Sequence, residues 1–432
     1  MVLKINMNEI VNKLVPKNYR YYQVVLATIV TIFTCASCTE SAAKNPQAPP
    51  SAPLSSQIPA PGSQLWFEPE AVNIDKLLEE SWNSYRQRFI QPDGRVIDFE
   101  DGDRSISEGQ AYAMLRAFFA NDPVTFAKTL EWAENNLARK IAWWQIDRLW
   151  AWKWGQDGQG NWNILDKNFA SDADIDAVFA LILAGRRWNK PEYLDLARAK
   201  LEDLWRFSTT TDEEGKRYLL PGPRSAFQTS PSEIQLNPSY FAPYAFRLFA
   251  QVDPKHDWIG LVDTSYEVLE RSAAVSSLGL PSDWIALDTR TDEFQPLLPP
   301  RSIQSRYSFD AYRVWWRVYL DAVWFESPRA IAFLEKHLQP LEKQWYIQRR
   351  IPATINLLGQ PTVDYEATSQ YGMLYAAFSL VKPQVAREIL QYKLIPQYNN
   401  GFWDSDTAYY TQNLVWLGLL PPTAIDKRLL KP

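Results

Sequence analysis

The sequence predicts an all-α fold, a toroid of helical hairpins, on three observations. Apolar residues recur at i, i+3, i+4 and i+7 in block after block, which is the spacing of one helix face. Several blocks open on a proline, at Asp122-Pro123, Lys190-Pro191, Ser327-Pro328 and Lys382-Pro383. A proline is tolerated there because first-turn amides have no partner inside the helix. Each proline-led block closely follows another block, so the helices come in pairs. No fixed repeat period runs through the chain and the intervening loops vary in length, which favours a closed ring over an open solenoid.

In chain order the first helical blocks are 72–86, 108–120 and 123–137, the second with Ser107 placed to cap it and the third led by its proline. Blocks 173–186 and 191–205 form the next pair, the first running through Phe179, Leu181 and Leu183 behind an acidic start. Blocks 237–251 and 256–273 follow, then 310–325 with the proline-led 328–338. The last are 368–380, the proline-led 383–394, and 406–419, whose expected role is to close the ring. Few segments read as strands.

The amino-terminal residues read as a targeting segment. Lys4, Lys13, Lys17 and Arg20 precede an apolar run from Val24 to Ser37, too short for a membrane span, which needs roughly 20 residues. A basic leader, a short apolar stretch and small residues make a secretory signal. The run ends Cys35-Ala36-Ser37-Cys38, which resembles the lipobox of bacterial lipoproteins, with Cys35 where a leucine is usual. On that reading Cys38 carries lipid and becomes the first mature residue; the alternative is an ordinary cleaved signal with two incidental cysteines. Residues 39–63, rich in Pro, Ser and Ala, form a semi-rigid tether. Residues 64–432 then form one large domain, and as both cysteines lie in the leader it holds together without a disulfide.

Composition narrows the chemistry. With 45 Lys+Arg against 50 Asp+Glu the formal net charge is −5, which argues against a nucleic-acid partner. Aromatic residues make up 14% of the chain, with 19 Trp, while His256 and His337 are its only histidines. That excludes a three-histidine zinc site and leaves little for Ser–His or Cys–His catalysis. Chemistry here is expected to run on carboxylates, with no metal and no cofactor.

Three acidic segments stand at the mouths of helices. Ser105-Ile106-Ser107-Glu108-Gly109-Gln110 places Glu108 in a first turn, where burial among aromatics would raise its pKa and the helix N-terminus would lower it. Ala170-Ser171-Asp172-Ala173-Asp174-Ile175-Asp176 carries three acids at alternate positions. A calcium loop fails there, because Ala177 and Leu183 stand where glycine and glutamate are required. One of Asp172 and Asp174 is expected to serve simply as the helix N-cap. The third segment, Tyr307-Ser308-Phe309-Asp310-Ala311-Tyr312-Arg313, spaces Asp310 and Arg313 as an i,i+3 ion pair among aromatic rings.

Taken together these segments, with Asn237-Pro238-Ser239-Tyr240 and Gly94-Arg95-Val96-Ile97-Asp98, resemble glycoside hydrolase family 8 in the right order. The similarity runs toward the periplasmic endoglucanases encoded with bacterial cellulose synthases. It implies an (α/α)6 barrel and hydrolysis of β-1,4-glucan with inversion. By resemblance Glu108 is the general acid, Asp310 the general base, and Asp172 holds the distorted sugar at the cleavage point. Tyr240 and Arg313 would support the water and the base, and Trp152 would stack a sugar; Tyr307, one of the aromatic rings crowded around Asp310, is expected beside the substrate. The chain departs from the family signature at Ala177 and Val178, and Asp176 is an additional acid. The resemblance further implies a glucan partner and an association with cellulose synthase machinery; with the leader, the expectation is an exported monomer that meets the membrane only through a lipid anchor. A relative acting on chitosan, xylan or mixed-linkage glucan, a non-catalytic glucan-binding lipoprotein and a purely structural toroid are the rival readings. Asp174 and Asp176 keep the chitosan reading open, as carboxylates that would bind amino sugars along the groove.

Overall fold

Six helices buried on nearly every face set the architecture, and six more pack outside them. The structure, a computed structural model, describes residues 72–431. The expected leader, Cys38 and the tether therefore lie outside the described residues. The α-helices of seven residues or more are α1 Ile74–Phe89, α2 Ser107–Phe119, α3 Pro123–Asn136, α4 Ser171–Arg187, α5 Pro191–Phe207, α6 Pro243–Val252 and α7 Trp258–Ala273. After them come α8 Tyr312–Phe325, α9 Pro328–His337, α10 Gln339–Gln348, α11 Thr368–Val381, α12 Pro383–Ile389 and α13 Tyr409–Leu419.

The buried set is α2, α4, α6, α8, α11 and α13. In α4 every residue from 171 to 185 is buried, as expected of a helix without a polar face. By contrast α5 buries only the stripe Ala197, Lys200, Leu201 and Leu204, the i, i+3, i+4, i+7 pattern of a helix with one side in water. Around the ring, α2 packs on α4, α4 on α6, α6 on α8, α8 on α11, α11 on α13, and α13 back on α2. Outside, α3 backs α2, α5 backs α4, α7 backs α6, α9 backs α8, α12 backs α11, and α1 backs α13. The result is an (α/α)6 barrel whose last inner helix rests on its first outer one. The α11–α13 contact depends on glycine: a Cβ on Gly418 would lie 2.1 Å from the Gly372 carbonyl oxygen.

The four proline-led helices begin as expected, each with Pro in its first turn. Block 237–251 divides, because Pro243 interrupts it: a 3-10 turn, Pro238–Tyr240, precedes α6, and Ala242 is driven out of the helical region (φ −124, ψ 76). Block 383–394 becomes α12 and a π-helical turn, Leu390–Leu394. Helix α10 is an addition to the twelve expected blocks.

Strands are the larger addition. In one sheet β1 Ser105–Ile106, β2 Ala138–Ile141 and β4 Trp162–Phe169 all pair with the long β3 Trp144–Gln156. A second has β5 Gln228–Ser230, β6 Glu233–Leu236, β7 Ile285–Asp288 and β8 Glu293–Gln295 in the order β8-β7-β6-β5. These sheets feed the inner ring: β1 runs directly into α2, β4 is separated from α4 by Ala170 alone, and β6 leads into the turn before α6. Strand pairing thus fixes the entry of three inner helices, two of which, α2 and α4, carry acids in their first turns.

Candidate active site

Arg313, in the first turn of α8, gathers all three candidate acids. Its Nη1 donates to Glu108 Oε2 at 2.5 Å and to Asp172 Oδ2 at 2.7 Å, and its Nη2 donates to Asp310 Oδ1 at 2.5 Å. The i,i+3 pair with Asp310 is present, but it is one arm of a three-carboxylate cluster joining α2, α4 and the turn before α8. The Arg313 side chain is 2% exposed and that of Asp172 3%, whereas Glu108 retains 16% and Asp310 32%. The two more open carboxylates are those that resemblance assigns to acid and base.

The expected caps are absent, and that frees the acids. Helix α2 starts from Ile106 and α4 from Ala170, neither with a side-chain cap, so Ser107 does not cap α2 and neither Asp172 nor Asp174 is the N-cap of α4. Asp172 takes one first-turn amide, that of Ala173 at 2.9 Å, on the oxygen turned away from Arg313. Its neighbours separate. Asp174 accepts from the Trp150 amide and pairs with Lys200 at 3.3 Å, and burial pushes its pKa up to about 7 against the pull of Lys200. Asp176 takes both terminal nitrogens of Arg317, at 2.8 and 2.9 Å, in a fully buried pair. Three acids with three different cations cannot chelate one ion, nor can Asp174 and Asp176 line a groove.

Crowding three carboxylates around one guanidinium forces at least one of them to bind protons unusually well. Burial, then the charges of Asp172 and Asp310, push Glu108 up to about 7, with Arg313 and the Tyr409 hydroxyl pulling the other way. Asp310 is also raised, chiefly by burial and further by Asp172, while Arg313 and the side chains of Asn237 and Trp284 oppose it. A carboxylic acid that keeps its proton near neutrality, beside one held by a cation and two N–H groups, is the arrangement of an acid–base pair.

The remaining predicted residues divide. Tyr240 is half-buried at the end of the 3-10 turn, with the Arg313 guanidinium over its ring at 5.3 Å. Trp152 lies on β3 next to Lys153, which pairs with Ile106 at the entry to α2, and is 8% exposed. Tyr307 is 2% exposed, and its hydroxyl already accepts from Trp315 Nε1 at 3.1 Å and Gln370 Nε2 at 3.2 Å. The structure places it behind the site, in packing rather than at a sugar-facing surface.

Two contacts were not anticipated. Tyr409, the first residue of α13, donates its hydroxyl to Glu108 Oε1 at 3.2 Å, and Tyr410 donates to the Phe309 carbonyl at 2.8 Å, next to Asp310. The aromatic richness of that segment was visible, but its place beside Glu108 depends on ring closure.

An inner ring of six helices that gathers three carboxyl groups around the Arg313 guanidinium at one end, Glu108 kept protonated to about pH 7, is the architecture of a glycoside hydrolase. The chain belongs to the glycosyl hydrolases family 8, which it matches over residues 66–423. It is similar to an endoglucanase of Xanthomonas axonopodis pv. citri, 38% identical over 244 residues, 56% of this chain and 60% of that one. An endoglucanase of Cellulomonas uda is 31% identical over 284 residues, 65% of this chain and 71% of that protein. Among solved structures, the endo-1,4-D-glucanase from Vibrio fischeri ES114 superposes with a TM-score of 0.67 at 28% identity, over 78% of this chain and 93% of that one. The match thus spans only 60% of the Xanthomonas relative's length. No helix among the described residues is long and apolar enough to cross a membrane.

Proposed function

We propose that the protein is an inverting endo-β-1,4-glucanase acting on cellulose-like β-glucan. The observation that carries this reading is the Arg313 cluster, which ties Glu108 and Asp172, in the first turns of α2 and α4, to Asp310, in the turn before α8. Glu108, holding its proton to about pH 7, protonates the glycosidic oxygen as the bond to C1 breaks. Asp310 removes a proton from water, which attacks C1 from the opposite face. An inverting pair needs roughly 6.5–9.5 Å between its carboxyl groups to admit that water, and Arg313 bridges this pair, reaching Glu108 through Nη1 and Asp310 through Nη2. Asp172, buried and fixed by Arg313 and the Ala173 amide, is placed to accept a sugar hydroxyl at the cleavage point. Tyr240 flanks the water site, and Trp152 stacks a neighbouring glucose.

The similarity to endoglucanases and to an endo-1,4-D-glucanase supports the substrate class. The chitosan alternative loses the feature that favoured it, because Asp174 and Asp176 are buried in ion pairs. A binding protein without turnover would have no need of a glutamic acid kept protonated to about pH 7. In the same proposal, residues 1–38 export the protein, Cys38 carries lipid, and residues 39–63 tether a monomeric domain outside the cytoplasm. There it would trim nascent cellulose beside the synthase machinery.

The test is reducing-sugar release from carboxymethyl cellulose, xylan, lichenan and chitosan by residues 64–432. The expected result is fastest release from carboxymethyl cellulose with a rapid fall in viscosity, the mark of internal cleavage. Release confined to xylan or chitosan would replace the substrate, and folded protein silent on all four would favour glucan binding without turnover.

A further inference from the structure

Asp310 stands in a loop that is held at almost every other residue. The Tyr307 amide and carbonyl both bond to Ile355, at 2.9 and 3.0 Å. The Phe309 carbonyl is held by Tyr410. On the remaining positions one side chain acts: Asp283, 5% exposed, in the segment leading into β7. Its Oδ1 accepts the amides of Ser308 at 3.2 Å and Ala311 at 2.9 Å, which lie on either side of Asp310. Its Oδ2 accepts the Ser308 hydroxyl and lies 3.6 Å from Arg306 Nε, and its own amide donates to the Arg306 carbonyl at 2.7 Å. The next residue, Trp284, directs its indole N–H toward the Asp310 carboxylate.

We infer that Asp283 is the positioning residue for the general base, gripping the backbone on both sides of Asp310 so that its carboxylate stays aimed at the attacking water. Burying a carboxylate against another is costly unless its lone pairs are filled. Here two backbone amides and a hydroxyl fill them, and all three belong to the loop that carries the base. Burial and the nearby Asp310 charge raise the proton affinity of Asp283 to about 7, so the arrangement is not one of maximum stability. Its geometric consequence is a loop that cannot drift. A reacting group misplaced by about 1 Å can cost about 10²-fold in rate, which makes such a grip consequential.

This inference rests on the reading of Asp310 as the base, and the experiment separates the two. Asp283→Ala, Asp283→Asn, Asp283→Glu and Asp310→Asn are assayed for kcat and KM on soluble β-1,4-glucan, with Tm measured for each. Asp283→Ala is expected to lower kcat about 10²-fold with KM nearly unchanged, since no substrate contact is removed. Asp283→Asn keeps an oxygen for both amides and should restore most of that loss. Asp283→Glu keeps the charge but moves the carboxylate outward by one methylene, so its kcat should also fall; it decides the matter if the alanine variant does not fold. An inactive Asp310→Asn beside folded Asp283→Ala and Asp283→Glu variants with parental kcat would overturn the role of Asp283. An active Asp310→Asn would instead overturn the assignment of the base.

Discussion

Replacing Glu108 with Gln is expected to lower the turnover of soluble β-1,4-glucan by about 10²–10⁴-fold, the usual contribution of a positioned proton donor. Glutamine has the same shape, and its carbonyl oxygen can still accept from Arg313, so the three-helix cluster should survive and glucan binding should persist. What it lacks is a proton to give at pH 5–7. The parent should show the matching pH dependence. Because burial and the neighbouring carboxylates raise Glu108 to about 7, the acid form is fully populated well below pH 7 and is lost as pH rises through that value. Activity should therefore fall on the alkaline side of neutrality. Initial-rate measurements from pH 4 to 9 on both proteins check this, and a variant retaining parental rates would remove Glu108 from the acid role.

Replacing Asp310 with Asn should cost about as much, by taking away the group that accepts the proton from water. It carries a second expectation that a merely structural aspartate would not. The Asp310 charge is one of the influences raising Glu108, so neutralising it should lower the Glu108 pKa. Whatever activity remains should then lose its acid form at lower pH than the parent does. A pH profile of the residual rate reads that shift directly. A variant that keeps substantial activity would pass the base role elsewhere, with Asp172 the other aspartate on the same guanidinium.

How much of this was legible in the sequence follows from how local each cause is. The proline-led helices were readable because proline acts on its own residue and the one before it; α3, α5, α9 and α12 start where Pro123, Pro191, Pro328 and Pro383 stand. The strands were not, because they depend on distant partners. Leu236 pairs with Ile285, and β3 lies against β1, β2 and β4 despite its helix-tolerant run of Trp, Ala and Lys. Glu108, Asp172 and Asp310 were found by motif, yet the motif could not say why they belong together. Arg313, which looked like half of a local ion pair, supplies the reason. Tyr409 was missed as a site residue because it meets Glu108 across 301 positions of chain, a contact that exists only once α13 closes the ring. Tyr307, read as substrate-facing from the aromatic crowd around it, sits with both bonds of its hydroxyl turned into the core.

In the mechanism proposed here, Glu108 and Asp310 act from opposite faces of the sugar in a single displacement. The most direct test is proton NMR of the anomeric signals during the first minutes of cello-oligosaccharide hydrolysis, before mutarotation mixes them. The newly formed reducing end is expected to appear first as the α-anomer, inverted from the β-linked substrate. Initial appearance of the β-anomer would mean a covalent glycosyl-enzyme and two displacements, and would contradict the mechanism proposed for this cluster.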